Sequence, residues 1–244
     1  ALGVVLGSFL QLIVSAVGLA GLGFDYNFKI YWRNKGFRKV LSLLPARSVD
    51  QGMDYVVSLV EVNLASRLVD GTVRAYQQAL TLHMMPINLI GVAISNAAFP
   101  QLTEHLGEGR DDLFQKDLRS LLRIIFWMAL PVSVVIFFTR GYVVHFISNG
   151  GVPLIAGILG CLVVAILFRT IYHMAARAFY ARQDTKTPLY ISIFSITLNI
   201  ILAIVLSMVL KMGAYGLAWA QSTVAVLEVV VLLAVMNRQM PKLF

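Results

Sequence analysis

The sequence predicts an all-α protein, a polytopic bundle of about seven transmembrane helices. Three observations carry this reading. Hydrophobic residues make up 59 % of the 244-residue chain and charged residues only 13 %, against about 25 % charge in an average soluble domain. Mean hydropathy is +0.79. The apolar residues also gather in runs of roughly 20, the length that spans a hydrocarbon core as helix.

The first run, Ala1 to Leu22, lacks an initiator Met and a basic leading segment, so it does not read as a signal peptide, and the chain reads as part of a longer one. Gly23 to Lys39 follows, with the mixture FDYNFKIYWRNKGFRK. Phe28, Tyr31 and Trp32 suit the interfacial aromatic belt, and the cations suit anionic headgroups. The second run is Val40 to Val69. The third, Ala75 to Phe99, contains Pro86, and the fourth, Leu118 to Phe138, contains Pro131. Each proline removes a helical hydrogen bond and is expected to kink its span. Between these two runs, Gly107 and Gly109 break the helix, and Asp111 and Asp112 fall in the first turn of the next, where its dipole favours them. The fifth run, Val152 to Ala176, holds the single cysteine, Cys161, which excludes an internal disulfide and reads as packing.

The stretch RAFYARQDTKTPLY, Arg177 to Tyr190, separates the fifth run from the sixth, Pro188 to Leu210. Arg177, Arg182 and Lys186 complement a helix C-terminus and anionic lipid. Asp184 and Thr185 make the turn, and Thr187 is predicted to cap the next helix with Pro188 at its first position. The seventh run is Ala214 to Met236.

Net charge is +8, and its distribution argues against nucleic acid. Lys29, Arg33, Lys35, Arg38 and Lys39, then Arg110, Lys116, Arg119 and Arg123, then Arg177, Arg182 and Lys186, then Arg238 and Lys242 all fall on one side of the seven spans. Only Arg67, Arg74, Arg140 and Lys211 fall on the other. The basic side is therefore cytoplasmic, with the C-terminus inside.

Charges within spans are costly and mark a cavity, a partner or a water path. At about 100° per residue, Arg47, Asp50, Asp54, Ser58 and Glu61 share one face of the second span for about four turns. This face reads as the wall of a hydrated cavity; the alternative is a stripe satisfied by neighbouring helices, with pairs such as Arg47 to Asp50. Arg169, Asn199, Gln221 and Glu228 are the other polar residues at depth. Glu61, Asn199 and Gln221 lie at similar distances from the outer helix ends, so they are placed to converge, either on a hard cation or on one another. His83, next to Pro86, reads as a satisfied core histidine or as a cavity residue. No metal-ligand spacing, nucleophile motif or phosphate-binding loop is present, so the residues support neither an enzyme nor a cofactor.

RAFYARQDTKTP resembles the hairpin between the tenth and eleventh helices of the MurJ (MviN) family of lipid II flippases. LLPA at Leu43 to Ala46, LASRL at Leu64 to Leu68, GVAISNAAFPQL at Gly91 to Leu102, YGLAWAQS at Tyr215 to Ser222 and the opening ALGVVLGSFLQL are similar to the same family in the same order. The resemblance covers essentially the whole chain. It implies an exporter fold of two six-helix lobes around a central cavity, with residues 1–37 as the last helix of the first lobe and its connecting loop, and residues 38–244 as the second lobe. It further implies a bacterial inner-membrane protein that is not an enzyme. Its partners would be a lipid-linked cell-wall precursor, membrane lipids and the first lobe of the same protein. Transport would be by alternating access, driven by Na⁺ or by the membrane potential. A flippase for another polyprenyl-linked oligosaccharide, or a scaffold without transport, are the alternatives. Thr81 stands where family members typically carry an Arg that contacts pyrophosphate, so Thr81 joins Arg47, Asp50, Asp54, Glu61 and His83 as a cavity candidate. The resemblance also implies a cation site in which Glu61 stands for an Asp, Asn199 matches an Asn, Gln221 replaces a Thr and Leu217 lends a carbonyl. SNGGVP, after the fourth run, is shorter than the family pattern, and Ala203 stands where an acid can occur.

Overall fold

The computed structural model describes residues 2–20, 35–147 and 153–240. All regular structure among them is helical: α1 (Leu2–Ala20), α2 (Lys35–Ser66), α3 (Thr72–Pro86), α4 (Ala93–Gly107), α5 (Asp111–Ile147), α6 (Pro153–Ala181), α7 (Lys186–Ile204) and α8 (Ala214–Gln239). Two compact units are present, Ala1–Ser42 and Leu43–Phe244. The first holds α1, a 19-residue apolar helix, and the start of α2. The second holds everything below.

Among the described residues, five helical stretches are long and apolar enough to cross a membrane: Thr72–Gly107, Asp111–Ile147, Pro153–Ala181, Lys186–Val209 and Ala214–Gln239. They correspond to the third through seventh expected spans. The first two expected spans contain shorter apolar helices, Val5–Ser15 and Tyr55–Ser66. The aromatic and basic residues from Gly23 to Asn34, the SNGGV segment and Lys242 lie outside the described residues.

Helix α6 is central, packing against α3, α4, α5 and α8. Its buried face carries Ala165, Ala175, Ala176 and Ala178, and α8 answers with Ala214, Gly216, Ala218, Ala220 and Ala225. Small residues let the two backbones approach, which is how helices associate where the hydrophobic effect gives no drive. Gly216 lets α8 approach the backbone that follows α7 in the same way: a Cβ there would lie 2.6 Å from the Leu206 carbonyl carbon and 2.7 Å from the Ser207 nitrogen.

Two apolar clusters form, one towards each end of the bundle. One gathers Leu102, Phe114, Leu118, Phe179, Ile191 and Met236, around the C-termini of α4, α6 and α8 and the N-termini of α5 and α7. The other gathers Leu64, Tyr76, Val144, Ile155, Ala203 and Leu217 at the opposite helix ends. Arg110, Lys116, Arg119, Arg182, Lys186 and Arg238 belong to the first end, and Arg67, Arg74, Arg140 and Lys211 to the second. The end-to-end charge asymmetry expected from the sequence is therefore built into the fold. At the basic end, Asp117 accepts from Gln101 Nε2 at 2.9 Å and lies 3.0 Å from His105 Nε2, tying α4 to α5.

Pro86 is followed by a wide π-helical segment, Ile87–Val92, before α4 resumes. A proline cannot donate, and its ring crowds the preceding turn, so the ladder beside it widens. Gly91 lets this segment press on Thr170 of α6, where a Cβ would be 3.0 Å from backbone atoms. A second π-helical segment, Val205–Val209, follows α7. Pro131, by contrast, sits within the continuous helix α5.

The loop at Glu108 to Arg110 follows the expected pattern, with Gly109 at φ 72° and Asp111 and Asp112 in the first turn of α5. The hairpin between α6 and α7 corrects one expectation. Gln183 takes a left-handed conformation at φ 62°, the Asp184 N–H donates to Phe179 O at 3.0 Å and the Gln183 N–H to Tyr180 O at 2.9 Å. These bonds close α6 as a Schellman motif. Asp184 Oδ1 then accepts the N–H groups of Lys186 and Thr187 at 3.1 and 3.0 Å, while Oδ2 accepts the Thr187 hydroxyl at 2.6 Å. Asp184 is therefore the cap, α7 starts at Lys186, and Thr187 is a donor within its first turn rather than the capping residue. Pro188 falls one residue further in, still within the turn whose N–H groups have no helical partner.

Candidate functional site

A cavity of about 390 Å³ has walls from α2, α3, α6, α7, α8 and the first π-helical segment. Its polar side chains are contributed at helical spacing. Helix α2 offers Ser58 and Glu61, α3 offers His83, and α7 offers Ser192, Ser195 and Asn199. Helix α8 offers Gln221 and Glu228 at i and i+7, so both point the same way. Helix α6 offers Arg169, His173 and Arg177 at i, i+4 and i+8, with Tyr172 and Tyr180 alongside.

Two buried contacts organise these groups. Gln221 Nε2 donates to both oxygens of Glu61, at 2.9 and 3.1 Å, joining α8 to α2 across 160 positions of sequence. Glu61 is 1 % exposed, so its carboxylate depends on this amide for much of its solvation. The second contact is an ion pair, Arg169 Nη1 to Glu228 Oε2 at 3.2 Å. Here the two partners differ: the Glu228 side chain is 3 % exposed and that of Arg169 is 23 % exposed. Both line the cavity, and the guanidinium is the more open half of the pair.

Around them, His83 is buried with Nδ1 3.0 Å from Leu80 O, so it is both a core histidine and a cavity residue. The Tyr172 hydroxyl lies 3.1 Å from Ser192 Oγ, and Arg177 packs over the Phe99 ring at 5.6 Å. Asn199 is 2 % exposed, and its Oδ1 has no hydrogen-bond partner among the described residues.

Of the residues expected from sequence, Glu61, His83, Asn199 and Gln221 meet in this cavity. Leu217 is fully buried on α8 but is not part of its wall. Thr81 lies outside it: the side chain is exposed and its hydroxyl donates to Gln77 O of the preceding turn at 2.9 Å. Arg47, Asp50 and Asp54 lie on α2, but their side chains fall outside the described set. The row of basic residues on α6 and the pairing of Arg169 with Glu228 were not expected. The signal for the row is present in FRTIYHMAARAFY as basic residues four apart within an apolar span.

Comparison with known proteins places this architecture. The model of a protein family described as "Lipid II flippase MurJ" matches residues 1–244. A probable lipid II flippase MurJ of Borreliella burgdorferi is 26 % identical over 227 residues, covering 91 % of this chain and 44 % of that protein. The lipid II flippase MurJ of Burkholderia cenocepacia is 26 % identical over 200 residues, covering 78 % of this chain and 39 % of the relative. The chain thus spans less than half the length of these curated relatives. Among solved structures, a lipid II flippase MurJ in an inward closed conformation superposes with a TM-score of 0.72 at 23 % identity, over 87 % of this chain and 45 % of that one. An outward-facing multidrug transporter of the MOP superfamily superposes with a TM-score of 0.76 at 12 % identity, over 81 % of this chain and 44 % of that one. At such identities the superpositions establish the shared fold.

Proposed function

Because the chain belongs to the MurJ lipid II flippase family, and is a multi-pass protein of the bacterial inner membrane, we propose that it forms one lobe of a flippase for a lipid-linked peptidoglycan precursor. The observation that carries this reading is the cavity inside the bundle, into which six helical segments bring polar side chains. An anionic, sugar-bearing headgroup needs polar partners at membrane depth, while its prenyl tail stays in lipid. Arg169, His173 and Arg177 offer cationic and hydrogen-bonding groups, and Asn199 and Ser195 offer partners for sugar hydroxyls.

The work of transport is rigid-body motion of this lobe against another, which exposes the cavity to each side in turn. On this reading the energy is drawn from the membrane potential or a cation gradient. Glu61 and Asn199 suit a Na⁺ ion: the carboxylate is buried, and Asn199 Oδ1 is a buried acceptor without a partner among the described residues. With its amide turned, Gln221 would add a third oxygen. A bound Na⁺ would neutralise Glu61 in place of the Gln221 amide.

Complementation of a flippase-depleted bacterium by the parent gene tests the reading. Parent rescue is expected to be lost with Arg169→Gln and with Glu61→Ala at unchanged membrane abundance. Full rescue by both variants would show that the cavity does not carry transport.

A further inference from the structure

We infer that Glu228 serves inside the cavity as a tethered substitute for a phosphate, competing for Arg169 and so setting how tightly an anionic headgroup is held and how readily it leaves. This rests on the flippase reading and concerns the same cavity.

The argument starts from the unequal burial of the ion pair. The Glu228 side chain is 3 % exposed at the cavity wall, and the guanidinium of Arg169, 3.2 Å away, is the more open partner and also lines the cavity. A phosphate that enters meets Arg169 with an acceptor already in place. The α6 row extends this surface: Arg169, His173 and Arg177 cover about 12 Å of helix, from the middle of the bundle towards its basic end. A diphosphate entering there passes Arg177 first and reaches Arg169 last.

Consider the pair without Glu228. Arg169 would then be a cation at membrane depth without that carboxylate, which is costly in the empty cavity. When a diphosphate arrived, the whole of that cost would be relieved by the ligand, and the complex would be hard to leave. A carrier needs sites that bind firmly enough to load and weakly enough to unload. Glu228 meets both needs. It keeps the empty cavity neutral at this point, and it turns binding and release into the exchange of one anion for another at a single guanidinium. Arginine suits the exchange because its planar fork accepts carboxylate and phosphate geometry alike. The exchange also selects: a neutral lipid has nothing to offer Arg169 and leaves the pair closed.

The experiment uses the purified protein in nanodiscs and measures binding of farnesyl diphosphate, farnesyl monophosphate and farnesol. Glu228→Gln keeps the shape and removes the competing charge, so the diphosphate is expected to bind about tenfold more tightly, with farnesol unchanged. Arg169→Gln is expected to weaken diphosphate binding at least tenfold, and the double variant to match Arg169→Gln, because Glu228 acts only through Arg169. Glu228→Asp, which keeps the charge but shortens its reach, is expected to give a smaller gain, and it carries the test if Glu228→Gln lowers the melting temperature. A gain shared by farnesol, a gain that persists in the double variant, or no gain with either Glu228 variant overturns the proposal while leaving the flippase reading in place. No diphosphate binding by the parent overturns both.

Discussion

Asp184 receives the N–H groups of Lys186 and Thr187 and the Thr187 hydroxyl on one carboxylate, and so begins α7 in the residue that follows the closure of α6. Burial pushes this carboxyl up, and the hydrogen bonds from Thr187, Lys186 and Gln239 outweigh it, leaving the group below its ordinary value of 3.8. The ionised form is thus favoured in the folded protein. Its stabilisation is fully present above the unfolded value and is lost as pH falls through the lower folded one. Asp184→Ala is expected to cost about 1 kcal/mol in thermal or denaturant unfolding at pH 7, and the difference from the parent is expected to shrink below about pH 4. An undiminished difference at pH 3 would assign the effect to packing instead. The sequence led elsewhere, because Thr-Pro is a strong start signal for a helix. What it could not show is that Gln183 adopts a left-handed conformation, which moves the start of α7 upstream.

At the scale of elements, runs of hydropathy located five membrane-length helices, because burial in lipid acts on composition over many residues. The π-helical segments were not legible in the same way. Pro86 announced a disturbance, but whether a helix kinks or widens depends on what packs beside it, and here Gly91 against Thr170 supports the wide form. Helix contact was legible in part, since small residues mark α6 and α8, although the partner of each had to come from the fold. Gly216→Ala is expected to cost about 2–3 kcal/mol in unfolding, because the added carbon meets backbone of Leu206 and Ser207, which cannot swing aside. Gly107→Ala has open space around its Cβ and a helical conformation, so it is expected to be neutral or to stabilise by up to about 1 kcal/mol. Equal effects at the two sites would remove close backbone approach as the explanation.

At the largest scale, the Leu43–Phe244 unit carries two apolar cores and a cavity lined by polar side chains, with cations concentrated at one end. Depth along each helix was enough to group Glu61, Asn199 and Gln221 from sequence. Arg169 and Glu228 were seen only as separate polar residues, because pairing between α6 and α8 depends on how each helix is rotated, which hydropathy does not report. The match to the Borreliella relative covers only 44 % of that protein, and on the proposed reading the polar residues here are the wall of one lobe. Reconstituted alone in liposomes, the 244-residue chain is expected to give no translocation of a fluorescent prenyl diphosphate lipid above that of protein-free vesicles; transport well above this background would show that one lobe suffices. The connection between α6 and α7 bears on how such motion is measured. Since one residue, Asp184, helps close α6 through its N–H and starts α7 through its carboxylate, that elbow serves as an internal ruler. Spin labels placed just either side of it should report one narrow distance in every state, and any broadening elsewhere in the lobe can be scaled against that fixed mark.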